Sequence, residues 1–279
     1  MTDFDLLMIN SPFADRFQLA EYNIQVKAAE EDKEDEEEQS YILQFHENIA
    51  LINVKGMLTN RDSYWNRYFG MLSYQEIQRA TVQAIQKGVG AILFDFNTPG
   101  GNASGMIDVA DFFSQIPVPT VAHASGSMAS AGYFLGMQMD HVHSSLLSEV
   151  GSVGVIVKLY DISKMNEQYG IKAERFRSGN LKAVGDPDFS LSKEERSYIE
   201  GQIKYMADVF YSAVSNARGI PRDMLEKLGV TSGRTFMGAD AVSAGLVDSI
   251  QSFDKSVLKA YTLATNYLDS NRQSSLFCC

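Results

Sequence analysis

Three short apolar runs, spaced by segments of helical character, constrain this chain more than any other feature. IALINVKGML (Ile49–Leu58) is mostly apolar with several β-branched residues, AILFDFN (Ala91–Asn97) is nearly continuous, and PTVAHAS (Pro119–Ser125) is a third strand candidate. Continuous rather than alternating apolarity is what a strand shows when both its faces are covered. Between the first two lies SYQEIQRATVQAIQKG, which places Ile77, Ala80, Val82, Ala84 and Ile85 on one side, with Gly88 closing the helix. The turn TPGG and a helix from about Ser104 to Ile116 follow the second run. After the third, GSMASAGYFLG reads as a small-residue turn entering a helix. Strands and helices alternating at this spacing imply βαβ crossovers, and hence an α/β fold with a mostly parallel sheet flanked by helices.

Further along, residues 141–157 read as β-rich and KAERFRSG (Lys172–Gly179) as a strand. Ser190 to Arg218 reads as a long amphipathic helix, with Ile199, Ile203, Met206, Val209, Phe210, Ala213 and Val214 recurring at three and four, stopped by Gly219 and Pro221. RTFMGADAVSAGLVDSI gives a short strand, a helix and a strand end. With no internal repeat, residues 41–265 are expected to form one domain, 1–40 an extension and 266–279 a tail. The extension carries Glu30–Glu38, eight acids and one lysine, a self-repelling run expected as a solvated linker, propeptide or arm.

That run supplies much of the formal net charge of −11, and elsewhere the balance is nearly even. No basic stripe is present, so no nucleic-acid partner is expected. Cys278 and Cys279, adjacent and terminal, can neither staple the fold nor build a metal cluster, which fits a reducing compartment. No secretory signal and no apolar run of membrane-spanning length occurs, so a cytoplasmic protein without a membrane anchor is expected.

Among residues able to carry chemistry, Ser130 stands in MASAGYFLG, between a strand and a helix, with small neighbours that permit a sharp turn. That is the setting of an exposed nucleophile whose following amide faces developing charge; a plain serine N-cap is the competing reading. NTPGG (Asn97–Gly101) can offer backbone N–H groups at a sheet edge, or be an ordinary turn. His123 falls within a strand pattern and reads as a core residue. His141 and His143 share one face, the spacing of a metal pair, without an evident third ligand, so a structural role is expected for all three and no metal or other cofactor. Lys182, in RSGNLKAVGDP, lies in a glycine-punctuated loop; a lysine serves as a base when desolvation leaves it neutral, and a surface lysine is the alternative.

In order and spacing, INVKGML, DFNTPGG, ASAGY, GSVGV (Gly151–Val155), SGNLK and GLVD resemble the signal peptide peptidase A family of serine peptidases, and within it the head-maturation proteases of tailed phages. The resemblance runs from about Ile49 to Ile250. It implies a Clp protease/crotonase-like β-β-α superhelix and a serine endopeptidase with Ser130 as nucleophile and Lys182 as base. It further implies that Ser152 orients the lysine and that the amides of Gly101 and Ala131 form the oxyanion hole. Capsid, scaffold or portal proteins would be the substrates and a homo-oligomer the working form, in host cytoplasm or an assembling prohead. A signal-peptide-degrading enzyme and a crotonase-type acyl-CoA enzyme are the alternatives. A Clp-type triad would need a histidine where this chain has Val155.

Overall fold

The computed structural model describes residues 7–9 and 39–276. The expected acidic run and the two cysteines lie outside the described residues. In chain order come β1 (Leu7–Ile9), β2 (Leu43–His46), β3 (Ile49–Lys55), β4 (Met57–Thr59), α1 (Tyr64–Tyr68), β5 (Met71–Ser73), α2 (Tyr74–Gln86), β6 (Ala91–Thr98), β7 (Gly100–Asn102) and α3 (Met106–Phe113). These are followed by β8 (Thr120–Ala129), α4 (Ala131–Gly136), β9 (His141–Ser144), β10 (Glu149–Gly151), α5 (Ser163–Gln168), α6 (Lys193–Arg218), α7 (Arg222–Lys227), β11 (Thr235–Phe236), α8 (Gly238–Ser243), β12 (Ser249–Ile250) and α9 (Phe253–Leu276).

The main sheet runs β11-β10-β8-β6-β3-β2. The long strand β8 is shared: Val121–Ala124 pair with His141–Ser144 of β9, and Ser127–Ala129 pair with Glu149–Gly151 of β10. Pairs β3/β6, β6/β8, β8/β9, β8/β10 and β9/β12 are parallel, while β2/β3 and β10/β11 are antiparallel. A second sheet, β1-β7-β4-β5, stands at the C-terminal ends of β3 and β6. The expected α/β architecture with a mostly parallel sheet is therefore the observed one.

Period-two alternation explains why both faces are covered. Ile49, Ala91, Leu93 and Val121 point to one side, where they pack against Ala260 and Ala264 of α9. Ala50, Ile52, Ile92, Phe94, Ala122 and Ala124 point to the other, into the main core with Ile77, Phe113, Phe134 and Phe210. Helix α9 approaches closely because its contact residues are alanines; a Cβ on Gly90 would meet the Ala264 backbone within 2.9 Å. This helix runs without a break across residue 265, where the expected domain ended, to Leu276. Among the described residues, no helix is long and apolar enough to cross a membrane.

The expected strand over Lys172–Gly179 does not form. The outer edge of β10 is already taken by β11, through Val150 opposite Phe236, so the later segment finds no ladder there. From Ser152 onward the chain leaves the sheet apart from an isolated bridge at Ile156, and Phe176 is 91% exposed.

Two of the four histidines are core residues, while His141 is half-buried and His46 exposed. His123 and His143 are opposite one another on β8 and β9, both buried. Ser256 of α9 sits 2.8 Å from His123 Nδ1 and 3.0 Å from His143 Nδ1, and the Gln251 amide donates to His143 Nδ1 across 2.6 Å. That nitrogen therefore accepts, and a proton on it would meet another N–H. Burial, then the neighbouring His141, pushes the His143 pKa down to about 4; burial also lowers that of His123. Asp248 opposes the shift at His143, and Lys259 adds to it. The unfolded chain thus binds more protons than the folded one between pH ~6.5 and 4. Stability should be complete above pH ~6.5 and fall as pH drops through that window. Melting temperatures at pH 7.5, 6.5, 5.5 and 4.5 should decline for the wild type, with a shallower decline in His143→Gln; equal slopes would exclude His143 as the source.

Candidate active site

Strand β8 ends at Ala129 and α4 begins at Ala131, leaving Ser130 alone to turn the chain. It does so at φ 53°, ψ −121°, a left-handed backbone that a non-glycine residue holds only under constraint. Its N–H donates to Gly151 O at 2.7 Å, and its carbonyl accepts from Phe134 N–H at 2.9 Å. The side chain makes no cap bond to the helix, which disfavours the N-cap reading. The residue is buried between Ala129, Ala131 and Gly132, all of them buried too. No larger residue fits at 132, because a Cβ there would lie 2.3 Å from Thr98 Cγ2.

Strand β7, GGN, packs beside α4. Thr98 Oγ1 accepts from Gly100 N–H at 3.1 Å, and Gly100 has φ 99°. Gly101 pairs with Leu58 of β4, and a Cβ on it would stand 1.8 Å from Leu58 O. The glycine pair is therefore part of a strand rather than an ordinary turn. Ala131 occupies the first position of α4, where N–H groups have no partner inside the helix.

Ser152 follows β10 as Ser130 follows β8. The parallel register sets Ala129 beside Gly151, so the two serines leave neighbouring strand ends, and Ser152 also has φ 53°. Its N–H donates to Arg234 O at 2.9 Å. No hydrogen bond joins its hydroxyl to another of the described residues.

Lys182 is differently placed. It lies exposed in a turn closed by its own N–H to Gly179 O at 3.1 Å, and its ammonium has no ion-pair or hydrogen-bond partner among the described residues. Of the five residues that the sequence singles out, Ser130, Ala131 and Ser152 stand at the ends of β8 and β10 and Gly101 on the strand that packs against α4, whereas Lys182 stands on an arm, residues 152–192, outside the sheet.

Together with the buried Val153 and Val184, Glu195 holds that arm, a residue to which the sequence analysis gives no role. Buried at the start of α6, it accepts from Arg177 Nη1 at 2.7 Å and Arg175 Nη2 at 3.5 Å, and from the Ser192 N–H at 2.9 Å in a capping box. The Ser192 N–H first, then Arg177, hold its pKa down to about 2. Asn166 to Asp188 at 2.8 Å and the Arg175 guanidinium over the Phe189 ring tie the same arm together. The spacing S-x-x-E at Ser192–Glu195 was the available signal.

Nothing places a histidine at Ser130. His123 is seven strand residues away, roughly 20 Å by strand rise, and its partner His143 is opposite it. His46 lies beside Ile49 at the start of β3, the other end of the sheet. No cluster of three His, Cys, Asp or Glu side chains suited to a metal occurs among the described residues.

Comparison with known proteins places these features in a wider group. The chain is 27% identical over 205 residues to the Capsid assembly protease C of Escherichia phage lambda, covering 72% of this chain and 46% of that one. It is 25% identical over 211 residues to the chloroplastic serine protease SPPA of Arabidopsis thaliana, covering 75% and 30%. The chain thus spans about a third to a half of the length of these relatives. A solved structure of a ClpP1 mutant from Listeria monocytogenes superimposes with a TM-score of 0.48 at 12% identity, over 74% of this chain and 93% of that one. The family model for peptidase family S49 matches residues 113–266, more than half of the chain and the stretch that holds Ser130, Ser152 and Lys182, and the chain belongs to that family.

Proposed function

We propose that this protein is a serine endopeptidase in which Ser130 attacks the peptide carbonyl and Lys182 is the base. The observation that carries the reading is the Ser130 turn: a buried serine at positive φ, without a cap bond, beside a glycine strand and a second strand-end serine. Such strain persists where the surrounding structure over-determines it, and it clusters at reacting groups. In the proposed cycle the Lys182 amine accepts the Ser130 proton as the oxygen bonds to the carbonyl carbon. The resulting oxyanion lies between the N–H groups of Gly101 and Ala131. Collapse breaks the C–N bond, the lysine returns its proton to the leaving amine, and water then hydrolyses the acyl-enzyme by the same route. Ser152 orients the lysine through its hydroxyl.

Because Lys182 is exposed and unpartnered, the dyad closes when the 152–192 arm is covered, and a homo-oligomer is the proposed cover. The arm offers Tyr169, Ile171 and Phe176 as exposed apolar surface for it. The similarity to the lambda capsid assembly protease supports phage head proteins (capsid, scaffold or portal) as substrates, in the host cytoplasm or an assembling prohead. Residues 1–40 are proposed as an extension to the peptidase domain.

A fluorophosphonate should label the wild type at Ser130 and leave Ser130→Ala unlabelled, as a crotonase-type acyl-CoA enzyme or an inert scaffold would be. Ser130→Ala and Lys182→Ala should each lower peptide hydrolysis by on the order of 10³-fold or more. An inactive Ser130→Ala beside a fully active Lys182→Ala would reject the dyad.

Glu195 is a positioning residue on this reading. Glu195→Gln should lower kcat with little change in KM, and cost about 2 kcal/mol in denaturant unfolding. Unchanged kcat in a destabilised variant would separate the Glu195 clamp from the chemistry.

A further inference from the structure

Strand β7 has two edges. One pairs with β4 through Gly101 and Leu58; the other is filled by β1, antiparallel, with Leu7 opposite Asn102, Met8 opposite Gly101 and Ile9 opposite Gly100. Without β1 this edge would present unpaired backbone groups beside the helix that starts at Ala131, and β7 is three residues long with glycine at two of them. An edge of that kind binds an extended peptide through main-chain hydrogen bonds. Since β7 packs against the helix that follows Ser130, the Ser130 reading makes this the edge along which a substrate would lie. The occupant is part of the chain itself, and in sequence it belongs to the apolar stretch Leu6–Ile9, between Asp5 and Asn10.

We propose that Leu7–Ile9 occupies the substrate edge in cis as a resident competitor, and that substrates are extended segments with a comparable apolar run, added antiparallel to β7. The consequence for catalysis rests on the Ser130 reading above; the occupancy rests on the β1–β7 ladder alone. Tethering places the segment at an effective concentration on the order of millimolar, so three residues of ladder suffice to compete with a dilute substrate while remaining displaceable. The edge is then closed to weak or poorly matched peptides and opens to partners that bind it more tightly.

The test uses the full chain with Leu7→Pro and, separately, Met8→Pro. Proline lacks the ladder N–H, and inward N–H groups alternate along an edge, so one of two adjacent substitutions removes a bond whichever phase the ladder has. Amide exchange at Gly100–Asn102 should be faster in at least one variant than in the wild type. In that variant KM for an extended fluorogenic peptide should fall about fivefold, what one ladder hydrogen bond contributes, with kcat unchanged. A synthetic Leu6–Asn10 peptide at millimolar concentration should raise it again, competitively. Equal exchange in all three proteins would overturn the occupancy. Faster exchange with unchanged KM would overturn the assignment of this edge to substrate. Faster exchange with no hydrolysis and no Ser130 labelling in any form would remove the peptidase reading while supporting the docking of Leu7–Ile9.

Discussion

The hydrogen bond from Ser130 N–H to Gly151 O ties two strand ends together, and the arrangement of the candidate site depends on it. Strand β8 is shared lengthwise between β9 and β10, and the bond extends the second pairing one residue past Ala129. It therefore holds Ser130 against the strand that delivers Ser152. Two non-glycine residues at φ 53° cost on the order of 1–3 kcal/mol each. The cost is sustained because neither can relax: Ser130 is packed between buried alanines and Gly132, itself against Thr98, and Ser152 N–H is tied to Arg234. An isolated turn of this sequence would have no reason to remain there.

The two halves of the proposed dyad have unequal support. The serine half stands on the most covered part of the sheet, where alternation sends residues of β3, β6 and β8 into α9 on one face and into the main core on the other. The lysine half stands on an arm with no ladder, fixed to the domain through buried Val153 and Val184 and through Glu195 with its two arginines. A carboxylate with this many donors stays ionised across the whole physiological range, so the attachment does not titrate where the histidine network does. The packing around Ser130 and the exposure of Lys182 follow from one topology: the edge of β10 closes with β11, and everything between Ser152 and Ser192 must find its partners elsewhere.

The legible parts of the sequence were those governed by local rules. Continuous apolar runs mark β3, β6 and β8, and helical spacing closed by Gly88 and by a left-handed Gly219 marks α2 and α6. The small residues around Ser130 marked its turn, since bulk is what such a turn excludes. Lys172–Gly179 was misread because a strand needs a free neighbouring edge, and period and propensity say nothing about whether one exists. Glu195 was overlooked because its value comes from Arg175 and Arg177, distant in sequence, although its capping-box spacing was in view. The histidines were read as structural without their partners; Ser256 and Gln251 lie more than a hundred residues from His143 or His123 in the chain. Lys182 joined the reading through family resemblance, and nothing in its own turn distinguishes it from a surface lysine.

The glycine strand unites the remaining constraints. Backbone packs against backbone on one side of Gly101, where a Cβ would overlap Leu58 O, so the residue is glycine for β4's sake before any question of catalysis. Yet glycines weaken a strand, since they lose the most freedom on ordering and bring no side chain to hold it. Three residues of that composition are held extended more firmly when paired along both edges. On the β4 side the partner is fixed by the fold. On the other it must be supplied by a strand that can leave, if an oxyanion donor at Gly101 is to serve a substrate at all. A segment tethered by its own chain meets both demands: it orders the donor strand in the resting protein, and a peptide that replaces it inherits an edge already in the conformation it needs.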